Sequence, residues 1–76
     1  MVKARNVDTD RLDAAIERSG LRVSYIVNQL GITRQGFHYK RTGKTTFRQS
    51  EVYVLCDLLK LTDQEKNEIF FPERLV

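Results

Sequence analysis

The residues best equipped to recognise something are Arg34, Gln35, His38 and Tyr39, which crowd into one short segment. Their groups hold and orient a partner. None forms a nucleophile and base pair. An arginine fork bonds guanine O6 and N7 together, and a glutamine amide bonds adenine N6 and N7. Around them stand Arg22, Ser24, Thr33, Lys40, Arg41, Lys44 and Thr45, cations and hydroxyls that suit phosphate oxygens. From Arg18 to Ser50 there are seven basic residues and no acidic one. The rest of the chain holds six basic and all ten acidic residues, a balance of −4. A positive stripe between negative ends suits a polyanion, because each neutralised phosphate releases condensed counterions.

Other chemistries fit the residues poorly. His38 and Cys56 are the only members of their kinds, whereas a zinc site takes about four such ligands. Gly36 and Gly43-Lys44-Thr45 superficially resemble a phosphate loop, but six residues separate the glycines and no strand precedes them. Asp10, Asp13 and Glu17 share one side of a helix, where carboxylates near the amino end complement the backbone dipole. Asp63, Glu65 and Glu68 read the same way. No carboxylate pair has a pocket or nucleophile to serve, so no enzyme, metal, cofactor or small-molecule ligand is expected. A single cysteine precludes an internal disulfide, and no apolar run is long enough to span a membrane. The chain is therefore expected to be cytoplasmic.

The elements that must position these residues are helices. Apolar residues recur at helical spacing throughout, and no stretch alternates with period two over the length of a strand. Leu12, Ala15, Ile16 and Ser19 line a first helix, capped by Asp8, Thr9 or Asp10 and ended by Gly20. Val23, Ile26, Val27 and Leu30 line a second, which Gly31 stops. Thr33 caps a third from Arg34 to about Arg41, with Gly43 ending it. Val52, Leu55, Cys56 and Leu59 mark a fourth, from about Gln49 to Lys60, with Cys56 expected to be buried. Thr62-Asp-Gln-Glu65 is a capping box that opens a fifth, reaching Phe70 or Phe71 before Pro72 forbids continuation. The expectation is one all-α domain over residues 1–76, a compact five-helix bundle with no effector-binding domain.

Only Gly31-Ile32-Thr33 separates the second and third helices, too little for an antiparallel hairpin. A sharp crossing follows, the helix-turn-helix unit, spanning about residues 23–41. Phe37 then points into the core beside Ile26 and Leu30, which turns Gln35, His38, Tyr39 and Thr42 outward with Arg34 at the exposed first turn. Lys40 and Arg41 flank the buried stripe, with their charges expected to reach phosphates.

The segment Ser24-Tyr-Ile-Val-Asn-Gln-Leu-Gly-Ile-Thr-Arg-Gln-Gly-Phe-His-Tyr-Lys-Arg-Thr-Gly-Lys resembles the lambda-type repressor and Cro helix-turn-helix family, most nearly its phage-associated and small bacterial regulators. The likeness continues through Glu51, Leu58-Leu59, Leu61-Thr62 and Ile69-Phe70-Phe71. It implies a lambda-repressor-like fold that binds double-stranded DNA, usually as a homodimer on a near-palindromic operator. By position, base readers would be Arg34, Gln35, Tyr39 and His38. Backbone contacts would fall on Arg22, Ser24, Thr33, Lys44 and Thr45, to which the charges of Lys40 and Arg41 add. Val27 stands where the family usually has a small residue, and Gly36 is expected to compensate by letting the two helices approach.

The apolar carboxyl-terminal tail, residues 70–76, offers more than one core needs. One aromatic is expected in the core, with Phe71, Leu75 and Val76 forming a dimer surface. Two rival roles use the same fold. An antitoxin or antirepressor would grip a protein through apolar anchors, and an architectural protein would bind any nucleic acid through the basic stripe.

Overall fold

A computed structural model of the chain describes residues 7–72. Among these, five helices follow in order: α1 Thr9–Ser19, α2 Val23–Leu30, α3 Arg34–Arg41, α4 Gln49–Leu59 and α5 Asp63–Phe70. No strand occurs among the described residues, and none of the helices is long and apolar enough to cross a membrane.

The boundaries follow from local chemistry. Asp8 is the residue that caps α1, its carboxylate accepting the Arg11 backbone N–H at 3.2 Å. Thr62 and Glu65 complete their capping box, each accepting the other's backbone N–H, at 3.1 and 2.9 Å. Gly31 closes α2 at φ +72°, where a side chain would be strained. α3 ends differently from expectation: Thr42 caps it in right-handed geometry, and its hydroxyl bonds back to the His38 carbonyl, one residue before Gly43 turns to positive φ. Lys60 takes the left-handed cap of α4, so that helix ends at Leu59.

The core is a single cluster. Leu12, Ala15 and Ile16 from α1, Ile26 from α2, Phe37 from α3, and Val52, Leu55 and Leu59 from α4 meet Ile69 and Phe70 of α5. Phe47, in the loop after α3, stands edge-on to both Phe37 and Phe70, with ring centres 6.1 and 5.6 Å apart. That loop is thereby pinned to the core at its far end. Cys56 is only half-buried, at the margin of the α4 stripe, where burial pushes its thiol pKa up. Phe70 is the buried aromatic of the tail, while Phe71 is half-buried and packs against the core rather than standing clear of it. Leu75 and Val76 lie outside the described residues.

α1 and α5 close the bundle. Arg11 pairs with Glu68 at 3.2 Å and Arg18 with Glu65 at 2.9 Å. Both acidic partners belong to the negative ends of the sequence, so their charge is spent on joining the outer helices. The Asp8 backbone N–H also donates to the Ile69 carbonyl at 2.6 Å.

Candidate nucleic-acid interface

The short turn Gly31–Thr33 carries the chain from α2 into α3, and its last residue sets the phase of the helix. The Thr33 hydroxyl accepts the Gly36 N–H at 2.9 Å. Phe37 is then turned fully inward, 1% exposed. With that side fixed, Arg34, Gln35 and His38 are exposed and Tyr39 is half-exposed. Gly36 has a local role instead of the expected interhelical one. A Cβ there would lie 3.1 Å from the Thr33 hydroxyl, and no α2 atom is among its near neighbours. The glycine makes room for the cap.

Arg22, Ser24, Arg34, His38 and Arg41 line an open cleft of about 570 Å³ floored by Val23 and Phe37. No carboxylate lines it. α2 begins at this cleft without a side-chain cap, since Arg22 occupies the N-cap position and supplies no acceptor. The amino end of a helix carries a partial positive charge and unsatisfied N–H groups, so it adds to the three guanidinium groups there. Chemically the cleft is fitted to an anion.

Beside the cleft lies a second cluster. Gln35 Nε2 donates to the Tyr39 hydroxyl at 2.8 Å, and Lys44 Nζ stands 4.6 Å from the centre of the Tyr39 ring. The Lys44 and Thr45 backbone N–H groups both donate to the Tyr39 carbonyl, at 2.9 and 3.2 Å. The loop therefore folds back on the end of α3 and holds Lys44 and Thr45 next to Tyr39. Thr33, Lys44 and Thr45 are all exposed.

Two of the expected phosphate contacts are otherwise engaged. Lys40 turns toward α4, where Nζ donates to Glu51 at 2.9 Å and to the Thr46 carbonyl at 3.2 Å. Its side chain is only 15% exposed. Arg41 lays its guanidinium over the Phe37 ring, 5.5 Å from its centre. Its Nε lies 3.3 Å from Asp13 of α1, close enough for an ion pair but without hydrogen-bond geometry. The Thr9 hydroxyl donates to the Arg41 carbonyl at 2.6 Å and ties the same helix end to α1. Arg41 therefore lies against an apolar ring, and the charges of both residues meet carboxylates of the same chain. Lys40 is thus a clamp, and Arg41 is half-committed while still lining the cleft.

Glu51 and Asp13 are the residues that sequence reasoning missed. Glu51 also accepts the Arg48 backbone N–H at 2.8 Å, the half of a capping box that an acidic third residue supplies. Arg48 in place of serine or threonine hid that pattern. Among the described residues no group of three potential metal ligands occurs. In comparisons with known proteins, no family model matches this chain, and no curated protein or solved structure does either.

Proposed function

We propose that this protein is a sequence-specific, double-stranded DNA-binding transcriptional regulator of Cro or short-repressor type, acting by occluding a promoter. The observation that carries the reading is the cleft where the uncapped start of α2 meets the outward face of α3, with three arginines and no carboxylate in its lining. A phosphate seated there would fix the orientation of α3, and phosphate contacts position a protein without reading sequence. Arg34, Gln35 and His38 would then meet base edges from the first turns of a helix lying in the major groove, with Tyr39 beside them. Lys44 and Thr45 would hold the next stretch of backbone.

The protein works as a homodimer, with two copies on half-sites roughly 34 Å apart, one turn of duplex. Selection of bound duplexes from a randomised pool tests the reading. The expected product is a near-palindrome with that spacing. Equal binding of all duplexes would instead favour an architectural role, and absence of duplex binding would favour a protein-gripping module.

A further inference from the structure

A glutamine at the base edges is ambiguous by itself. Its amide has two N–H donors and one carbonyl acceptor. It can present a donor and an acceptor to adenine, which shows N7 and the N6 amino group. It can also present both donors to guanine, which shows N7 and O6. Something must remove one of these options if the position is to be selective.

The Gln35–Tyr39 bond does so. One Nε2 N–H is committed to the Tyr39 hydroxyl at 2.8 Å. What remains free is one N–H and the carbonyl oxygen, the complement of adenine and a mismatch for guanine. Tyr39 is itself held, because Lys44 stands over its ring and the Lys44 and Thr45 N–H groups grip its carbonyl. We infer that Tyr39 is a positioning residue that acts through Gln35, making the base pair read by Gln35 an A·T pair with adenine selected over guanine. This rests on the regulator reading above. It adds a specific base and a residue that enforces it without touching that base.

The experiment compares duplex selection by the wild-type chain, Gln35→Ala, Tyr39→Phe and the double variant. The base pair at which Gln35→Ala alone loses preference is the one under Gln35. There the wild type is expected to prefer adenine over guanine on the order of tenfold, within the range of one bidentate contact. Tyr39→Phe keeps the ring under Lys44 and removes only the hydroxyl that accepts the amide N–H. The ratio of adenine to guanine at that pair should fall below about threefold, because the second donor is released to guanine. In the Gln35→Ala background the Tyr39 change should have no further effect at that pair.

Guanine at that pair in the wild type would overturn the inference, since it would mean that the amide presents both donors. Retention of the full adenine preference by Tyr39→Phe would overturn it too, as would additive effects of the two substitutions. Each leaves a sequence-specific regulator standing. A wild-type chain without preference at any base pair would instead remove the regulator reading and this inference with it.

Discussion

Lys40 and Glu51 meet 2.9 Å apart across the loop that carries Lys44, Thr45 and Thr46, joining the end of α3 to the first turn of α4. Their side chains are only 15% and 10% exposed, and the same Glu51 oxygen accepts the Arg48 N–H. Burial alone raises the Glu51 pKa. The Arg48 hydrogen bond and the Lys40 ammonium outweigh it and hold the carboxyl below its ordinary value of 4.5. A group depressed in this way stabilises the fold above its unfolded pKa, and that contribution is lost as pH falls through the folded value.

Glu51→Gln is therefore expected to cost about 1.5–3 kcal/mol at neutral pH, the usual worth of hydrogen bonds to a charged group. Denaturant titrations should show the gap between variant and wild type closing as pH drops below about 4.5. A gap that stays constant into acid would mean that Glu51 acts through packing alone.

Base readers and backbone contacts should separate in binding assays. Arg34→Ala or Gln35→Ala should lose about 1–3 kcal/mol on the selected operator and far less on random duplex. Lys44→Ala should weaken both nearly equally and flatten the salt dependence by about one unit. Equal losses from Arg34→Ala on both duplexes would make α3 an electrostatic clamp.

Asp13 holds part of the Arg41 charge away from the cleft. Asp13→Asn should free that guanidinium for a phosphate, raising affinity for random duplex and steepening the salt dependence by about one unit. Filter binding over a salt series measures both. An unchanged slope would show that Arg41 stays folded over Phe37 in the complex.

At Gly31 an added Cβ would meet nothing within 4 Å, so the backbone angle alone sets the cost of substitution. Gly31→Ala should destabilise by about 1–2 kcal/mol, and Gly31→Asn by less, since asparagine tolerates the left-handed region. Thermal melts of the two variants would rank them.

The helices were legible because their signals are local. Thr33, Gly31, Gly20 and the Thr62–Glu65 box each act within one turn of themselves, and the structure uses all of them. The outward set Arg34, Gln35 and His38 followed from placing Phe37 inside. The ion pairs of Lys40 and Arg41 are not legible in the sequence for the opposite reason. Their partners, Glu51 and Asp13, come from other helices, and only the packing of α1 and α4 around α3 reveals that carboxylates stand at the ends of those stems. Cys56 shows a finer limit: it lies beside Val52 on the helical wheel, and periodicity alone does not fix where the buried stripe stops.

The ion pairs closing α1 on α5 span 57 and 47 residues, whereas α2 packs on α3 and α4, which lie nearer to it in the chain. Contacts that close longer loops cost more chain entropy and are expected later in assembly, after the local helices have formed a nucleus. Ile26 and Ile69 sit on opposite sides of that divide, both buried. In stopped-flow experiments Ile26→Val should chiefly slow folding, while Ile69→Val should chiefly speed unfolding. The lifetime of the folded chain would then be set at α5, which contributes no residue to the cleft between α2 and α3, so persistence of the fold and the chemistry of that cleft become separately adjustable.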